Sequence, residues 1–374
     1  MLAVYTLEPG VTGDAGDDPG GDLREMSNPR ALGRRAALVG ASLAVLGSGL
    51  LSAVPAHAGL FGPKASRENF PAREVERPLD LPRGWSEFTF SHAIKFSSGS
   101  WSSDGEVVPF ESAQWTYHRS QVSWRYGLSR RSDIQWDVPF LVGMLRNEEL
   151  GTNLTSGALG DIRFWYRYRL YEEEAPMTAV VIESFIEGPT GRETPGTQRG
   201  GPAQMSNIIT TSSSWDVYGG LAARRQVGPL RFTLRAGYMR RFSALSQFVV
   251  EVEEDQFTGR FKPGDRLQAS VEFLGQVGPV ALAAQPRFAY RGVTKAGVTA
   301  DNWINPGKNL VAFDGSDGAE LDLDLQLTVN ATRGFDVHLQ GSLPLMGEDL
   351  MFFPLEDVHP TYGPTFGAAV EARF

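Results

Sequence analysis

Apolar and polar residues alternate with a period of two along most of the chain beyond residue 85. Residues 319–329 show this most clearly, because leucines alternate there with Glu320, Asp322, Asp324 and Gln326. Successive side chains of a β-strand point to opposite faces, so the pattern predicts a strand with one apolar and one acidic face. Burial of that acidic face in a dry core would cost several kcal/mol for each unpaired carboxylate. We therefore expect it to meet water.

About twelve segments of this kind follow one another. They cover residues 85–96, 114–126, 132–142, 158–170, 177–188, 212–224, 230–242, 264–274, 280–290, 319–329, 335–344 and 362–374. The short breaks lie near Gly127, Glu172, Val227, Gly275 and Thr332, and the long ones cover 97–113, 143–157, 189–211, 243–263, 292–318 and 345–362. Alternating short turns and long loops are typical of transmembrane barrels. We predict an all-β fold in which residues 85–374 form a transmembrane antiparallel up-and-down β-barrel. A soluble β-sandwich is the alternative, but it would not need a water-seeking face in nearly every strand.

The last segment ends the chain on Phe374, with apolar residues on one face and Glu371 and Arg373 on the other. This pattern resembles the closing strand of bacterial outer-membrane β-barrels, in which a terminal aromatic residue is part of the assembly signal. The resemblance implies the outer membrane of a Gram-negative-type bacterium as the location. It also implies membrane lipid, lipopolysaccharide and the barrel-assembly machinery as partners, with Phe374 as the assembly signal.

The beginning of the chain has the pattern of an exported protein. Residues 1–25 are rich in Gly and Asp and lack an apolar period, so we expect a disordered extension, and either Met1 or Met26 could be the functional start. Residues 26–58 contain arginines, then 16 mainly apolar residues (36–51), then Ala56-His57-Ala58. This order predicts a signal peptide. The apolar run is shorter than the roughly 20 residues that a spanning helix needs.

Residues 59–84 connect the signal peptide to the barrel. They contain Pro63, Pro71, Pro78 and Pro82 among alternating charges, a composition that favours extended chain over helix or sheet. We expect a periplasmic extended segment. A folded plug inside the barrel is the alternative, but the stretch shows no apolar periodicity to support one.

Composition limits the classes of function. The 374-residue chain has a formal net charge of -9, which argues against a nucleic-acid partner, since phosphates demand a basic face. The absence of cysteine excludes thiol catalysis, Cys-type zinc sites and lipoprotein anchoring. The mean hydropathy of -0.22 is too polar for a helical membrane protein but compatible with a barrel. We expect no cofactor and no metal.

Charged residues divide the predicted inner face into two arcs. The basic arc contains Arg163, Arg167, Arg169, Arg231 and Arg235, and the acidic arc contains Glu320, Asp322, Asp324 and Asp336. The fourth and tenth strands lie opposite each other in a ring of twelve, so these residues are candidates for a transverse field that orients solutes in the lumen. The alternative is local pairing, in which carboxylates on the third and fifth strands form salt bridges with the arginines.

Histidines limit the enzymatic interpretations. His92 and His118 are expected on the lipid face and His338 on the inner face. A lipid-facing Ser-His pair of the kind found in outer-membrane phospholipases would need Ser120 or Ser91 beside one of the outer histidines, which only geometry can show. We predict that the protein is not an enzyme.

Two glycine-containing motifs link the chain to a known family. Gly157-Ala158-Leu159-Gly160-Asp161 opens a Tyr-rich strand, and Glu187-Gly188-Pro189-Thr190-Gly191 follows. This order resembles a family of outer-membrane transporters that includes proteins described as phenol-degradation (meta-pathway) proteins. The resemblance implies a substrate-conducting barrel, with small aromatic or other hydrophobic compounds suggested as solutes.

The sequence therefore predicts a passive outer-membrane channel or facilitator for small solutes. A lipid-modifying hydrolase and a structural or receptor barrel without transport are the alternatives. Residues 189–211 contain four glycines with Arg192 and Arg199, and this loop is a candidate for folding into the lumen. A mobile surface loop is the alternative.

Overall fold

The computed structural model describes residues 71–102, 104–109, 113–147, 152–174, 177–191, 214–249, 256–297, 311–312, 317–348 and 361–374. The predicted N-terminal extension, the signal peptide, residues 59–70 and most of the candidate inward loop (192–211) lie outside the described residues. Within the described residues, no helix has the length and apolar composition that crossing a membrane requires.

Twelve long strands form the main sheet, and we number them in chain order. They are β1 (Ser86–Ser97), β2 (Ala113–Gly127), β3 (Ser132–Asn147), β4 (Ile162–Glu174), β5 (Met177–Gly188), β6 (Asp216–Val227), β7 (Leu230–Arg241), β8 (Arg266–Val277), β9 (Val280–Arg291), β10 (Gly318–Thr332), β11 (Phe335–Glu348) and β12 (Thr365–Arg373). Each pairs antiparallel with its chain neighbours, and β1 pairs with β12. The predicted closed up-and-down barrel of twelve strands is confirmed.

Side chains alternate between the two faces of the wall as the sequence pattern predicts. In β12, Phe366 is 54% exposed on the outer face, whereas Ala369 and Arg373 on the inner face are 4% and 7% exposed. Large apolar side chains are exposed on the outside of every strand, which would be a liability in water. An apolar exterior around a polar interior is the distribution of a membrane-spanning barrel.

The turns between β6 and β7 and between β8 and β9 share one design. In both, a Gly-Pro pair joins the strands, and Gly228 and Gly278 each have φ of 59°. This left-handed conformation costs glycine little, and it allows a two-residue hairpin connection.

The long breaks carry short strands of their own. Ala244–Val249, Gln256–Lys262, Lys295–Gly297 and Val311–Ala312 form one small sheet, Thr361–Tyr362, Gly99–Trp101 and Val107–Pro109 form another, and Thr152–Leu159 extends the pairing of β3. The fourth predicted segment is therefore divided in two. It breaks at Gly160 and Asp161, where β3 changes its partner strand and the Pro139 carbonyl accepts the Gly160 N–H at 2.8 Å.

The chain before β1 does not lie where we expected. Residues 71–84, the described part of the expected periplasmic segment, pack against inner-face side chains of the barrel, and a short 3-10 helix (Glu74–Glu76) begins this stretch. Val75, Leu79 and Leu81 are 0%, 6% and 2% exposed. The alternative of a plug is thus the better description. We call residues 71–84 the lumen segment.

The carboxyl terminus closes the sheet against the start of β1. The Phe374 N–H donates to the Ser86 carbonyl at 3.0 Å, and the Phe374 carbonyl accepts from the Ser86 N–H at 2.9 Å. The Phe374 side chain is 48% exposed on the outer face. Its role as an assembly signal stays a prediction.

Candidate functional site

The lumen segment is fixed to the wall by hydrogen bonds as well as by apolar contacts. The Val75 N–H donates to Gln276 Oε1 at 2.9 Å, and the Leu81 N–H donates to Asp133 Oδ2 at 2.7 Å. Leu79 packs on β5 and β6. The segment therefore contacts strands on several sides of the ring and narrows the lumen.

Arg77 ties this segment to the wall by a buried ion pair. Its guanidinium meets both carboxylate oxygens of Asp336, at 2.6 and 3.1 Å, and also contacts Glu74. Arg77 is 5% exposed and Asp336 is 0% exposed. Burial alone would lower the pKa of Arg77, but Glu74 and Asp336 raise it above its ordinary value. This side chain is therefore a permanent cation in the lumen.

Asp80 is the titratable exception in the same segment. It is 2% exposed, and its nearest cation is Arg169, whose Nε lies 3.4 Å from Asp80 Oδ1. Burial raises the pKa of Asp80 to about 6, and the attraction of Arg169 only partly opposes that rise. Asp80 can therefore change its charge near neutral pH.

The arginines of the predicted basic arc lie on the inner face, where carboxylates of neighbouring elements meet them. Arg163 Nε lies 2.6 Å from Glu187 Oε2. Arg167 lies 3.2 Å from Asp133 and 3.5 Å from Glu183. Local pairing thus accounts for these two residues, as the alternative interpretation proposed.

The remaining basic candidates differ in how well they are neutralised. Arg231 is 4% exposed and lies 3.0 Å from Glu272 and 3.4 Å from Glu74. Arg169 meets Asp80 and Glu172. Arg235 has a side chain that is 30% exposed, and its only carboxylate partner among the described residues is Glu183 at 3.8 Å. Of the five, Arg235 retains the most uncompensated charge.

The acidic candidates lie on β10 and β11 and share fewer partners. Arg287 reaches both Asp322 and Asp324, at 2.6 and 3.3 Å. Glu320 lies 3.9 Å from Arg266. Asp336 is instead buried beneath the lumen segment, where Arg77 and Arg373 hold it. The structure thus brings the predicted acidic residues to the inner wall but removes Asp336 from the open part of the lumen.

Four apolar side chains on the inner face form a layer that the sequence analysis missed. Trp165, Phe185, Tyr218 and Met239 are direct cross-strand neighbours on β4 to β7. The Phe185 and Tyr218 rings stack at 4.9 Å with 12° between their planes, and Trp165 lies 4.5 Å from Phe185. An available signal was the occurrence of Trp165 on the Arg-rich face of its strand.

Two glycines make room for this layer. A Cβ on Gly220 or Gly237 would lie 2.4 or 2.2 Å from the Tyr218 hydroxyl oxygen. Tyr218 therefore lies over both glycines, across two strands. Such close approach requires residues without a side chain.

Two cavities lie inside the part of the lumen that the described residues enclose. The larger has a volume of about 420 Å³ and is bounded by the lumen segment, the aromatic layer and arginines from both sides of the ring. The smaller has about 280 Å³ and is lined mainly by small residues and amides, with Asp324 and Glu272. Both volumes suit small solutes rather than chains or folded proteins.

The two glycine-containing motifs, residues 157–161 and 187–191, are joined to each other by hydrogen bonds. The Gly191 N–H donates to Asp161 Oδ1 at 3.0 Å. The Thr190 hydroxyl donates to the Gly160 carbonyl at 3.1 Å and accepts from the Ile162 N–H at 2.8 Å. These contacts join the start of β4 to the end of β5 at the break in the wall. They give Gly160, Asp161, Thr190 and Gly191 a structural role that does not involve a solute.

Two further side-chain clusters could support chemistry. On the outer face, His92 Nδ1 lies 2.9 Å from Ser120 Oγ, and the His118 ring lies 5.6 Å from that of His92. On the inner face, ligand atoms of Asp336, His338 and Glu371 lie within 4.8 Å of one another. A cation there would compete with Arg77 and Arg373, which already hold Asp336.

Comparison with known proteins identifies the fold. No family model matches the chain, and no curated protein sequence matches it. An outer membrane channel from Pseudomonas putida F1 has a TM-score of 0.57 at 14% identity, over 79% of this chain and 99% of that one. This likeness establishes an outer-membrane-type barrel fold. A mutant of the TodX monoaromatic hydrocarbon channel (TM-score 0.43, 8% identity, 78% and 90% covered) and the KdgM porin (0.37, 8%, 77% and 99%) are more distant.

Proposed function

We propose that this chain is an outer-membrane channel that passes small solutes passively through a charge-lined lumen. The observation that carries the proposal is a closed barrel that has an apolar exterior and open space inside. This space consists of cavities of about 420 and 280 Å³. A purely structural barrel would gain stability from a filled interior. The location in the outer membrane of a Gram-negative-type bacterium, with lipid, lipopolysaccharide and the assembly machinery as partners, is part of this proposal.

The lumen segment sets how far the channel opens. It fills the space between β5, β6 and β11, and solutes must pass beside it or displace it. Because the wall is a closed network of backbone hydrogen bonds, the segment is the element that moves at lower cost. The inner wall is polar and charged with one aromatic layer, so polar solutes and small compounds with an aromatic part are the proposed cargo.

Planar-bilayer recording of the full chain tests the proposal. Discrete openings whose conductance rises with salt support a channel. A correctly folded, inserted barrel that stays electrically silent and does not swell solute-loaded liposomes would contradict it, and would favour a structural or receptor barrel.

A lipid-modifying hydrolase is a second candidate, and the contact between His92 and Ser120 favours it. A hydroxyl beside an imidazole is the first requirement of nucleophilic catalysis. Release of fatty acid from phospholipid vesicles, abolished in Ser120→Ala and retained in Ser91→Ala, would establish this activity. Equal release from all three proteins, at background level, would remove it.

A further inference from the structure

The larger cavity combines aromatic surface with arginine on one side of the lumen. Its wall includes the layer formed by Trp165, Phe185, Tyr218 and Met239. Guanidinium groups already lie over these rings, with Arg163 4.5 Å from the Phe185 ring centre and Arg167 5.0 Å from that of Trp165. A ligand ring placed here would meet both π-surface and cationic edges.

The lining of this cavity is rich in arginine, but most of these arginines are already paired. Of the described residues that line it, ten are arginines and five are carboxylates. Most of these arginines also form salt bridges with carboxylates outside the lining, such as Asp133, Glu187 and Asp336. Guanidinium groups bind carboxylates and phosphates through paired donors. An anion would therefore be bound by those arginines of the lining that lack a close carboxylate partner.

Two arginines of the lining are the least compensated among the described residues. Among the described residues, no carboxylate oxygen lies within 4.0 Å of the Arg224 guanidinium, which donates to the Arg77 carbonyl and to Thr233 Oγ1. Arg235, on the adjacent strand, has only Glu183 at 3.8 Å. Arg235 directly faces Ala222 across the pairing, and Arg224 is the next inner-face residue of that strand. The two positive charges therefore lie close together on the inner wall formed by β6 and β7.

The aromatic layer lies next to Arg224 and Arg235. Tyr218 covers Gly237, the inner-face residue that follows Arg235 on β7. A ring packed against Tyr218 and Phe185 would therefore hold an attached carboxylate near Arg235. The volume of about 420 Å³ lies within the range of small-ligand sites.

We propose that the larger cavity is a binding site for small aromatic carboxylates, with the ring on the aromatic layer and the carboxylate on Arg235 and Arg224. This inference rests on the proposed function, because the site would select among solutes inside the channel. A neutral aromatic compound would leave the guanidinium charge uncompensated. An aliphatic anion would make no aromatic contact with the layer.

Calorimetric titration of the full chain in lipid nanodiscs tests binding without requiring transport. The probes are benzoate, its neutral analogue benzamide, and acetate. We expect benzoate to bind about tenfold or more tightly than either of the others, because it alone makes both the charge-assisted and the aromatic contacts. Equal binding of benzoate and benzamide, or no binding of benzoate, would overturn the proposal.

Matched variants then assign the two contacts. Arg235→Gln should weaken benzoate binding about tenfold or more, whereas Arg240→Gln, on the outer face of the same strand and paired with Asp265 at 2.7 Å, should not. Phe185→Leu should weaken it about threefold to tenfold, whereas Phe232→Leu, on the outer face, should not. Arg235→Lys keeps the charge and serves as a second variant if Arg235→Gln does not assemble. Loss of binding in the outer-face controls as well would mean that the site lies elsewhere.

The two proposals can fail separately. Wild-type protein that conducts in bilayers but does not distinguish benzoate from benzamide retains the channel function and loses the aromatic-acid site. Protein that binds benzoate selectively but never conducts keeps the site and loses the channel. If benzoate partially blocks the current of the wild type but not that of Arg235→Gln, the binding site lies in the conduction path of the channel.

Discussion

The basic and acidic arcs of the lumen are built differently. On β4, Arg163 and Arg167 each meet carboxylates of neighbouring strands, at 2.6 to 3.5 Å. On β10, Asp322 and Asp324 share Arg287 of the neighbouring strand, and Lys95 of β1 also attracts Asp322. The first arrangement is a set of cross-strand salt bridges that also link neighbouring strands of the barrel wall. The second arrangement places two carboxylates on one guanidinium, so each carboxylate is less fully paired.

This difference shows where a field across the lumen would arise. Paired charges largely cancel at a distance, so most of the basic ladder contributes little to the potential felt by a solute. Among the described residues, the least compensated charges are Arg224 and Arg235 on one side and the two aspartates around Arg287 on the other. The lumen segment lies between the arcs and contacts both.

The largest expected effect comes from releasing that segment. Arg77→Gln removes one partner of a buried ion pair, a change that costs about 3 to 5 kcal/mol, and should undock the segment from β11. We expect several-fold larger single-channel conductance and rapid proteolysis within residues 71–84.

Arg73→Gln is the matched control for that experiment. Arg73 belongs to the same segment but pairs with Glu76 at 3.0 Å in an exposed position, with 43% of its side chain accessible. Exposed pairs of this kind contribute about 0 to 1 kcal/mol. Equal conductance in both variants and in the wild type would mean that the segment does not restrict the lumen.

Removing charge from each arc should shift ion selectivity in opposite directions. Asp322 and Asp324 changed together to Asn would leave Arg287 unpaired and favour anions. Arg163 and Arg167 changed together to Gln would leave carboxylates unpaired and favour cations. Reversal potentials across a salt gradient measure both shifts. They should shrink at high salt, since the Debye length is about 3 Å at 1 M. If the barrels assemble and the reversal potentials do not change, these residues only form salt bridges with their neighbours and do not set ion selectivity.

The sequence predicted the wall much better than its contents. Strict alternation fixes which side chains face lipid, and the turn residues fix the order of strands, so twelve strands could be placed from local pattern alone. The lumen segment could not, because Val75, Leu79 and Leu81 are isolated apolar residues among prolines and charges. They are buried by contacts with the barrel wall that surrounds them. These contacts exist only in the closed barrel, so the local sequence pattern does not show them.

The candidate site was predictable in part for a related reason. Alternation placed every candidate arginine and aspartate on the inner face, but it says nothing about partners. Arg287 and Glu187 decide which charges are neutralised, and their distances depend on strand register. The aromatic layer combines single residues from four strands, so no one segment of sequence displays it.

A smaller effect should follow from filling the space beneath the aromatic layer. Gly237→Ala would place a Cβ 2.2 Å from the Tyr218 hydroxyl, and overpacking of this kind costs about 1 to 3 kcal/mol. The midpoint of thermal unfolding, read from the gel-shift of the folded barrel, should fall. Gly219→Ala is the control, because nothing lies within 4 Å of its added Cβ. Equal midpoints for the two variants would show that Tyr218 can move aside freely.

The smallest expected effect is a pH dependence of the lumen segment through Asp80. Burial raises the pKa of this carboxyl to about 6, above the ordinary value of about 3.9 that it would have after undocking. The docked state therefore binds the proton more tightly, and docking gains stability as pH falls through 6 and loses it as pH rises above 6. Between about pH 7.5 and about pH 5 the gain is about 1 kcal/mol.

Conductance should consequently be lower at acidic pH, where the segment is held more firmly between the two arcs. Asp80→Asn imitates the protonated form, so it should give the low conductance at both pH values and remove the dependence. Asp104→Asn, at an exposed position, should keep the wild-type response. Conductance that rises on acidification, or a response that survives in Asp80→Asn, would place the titrating group outside the lumen segment, because the sign of the effect follows from burial of this one carboxyl.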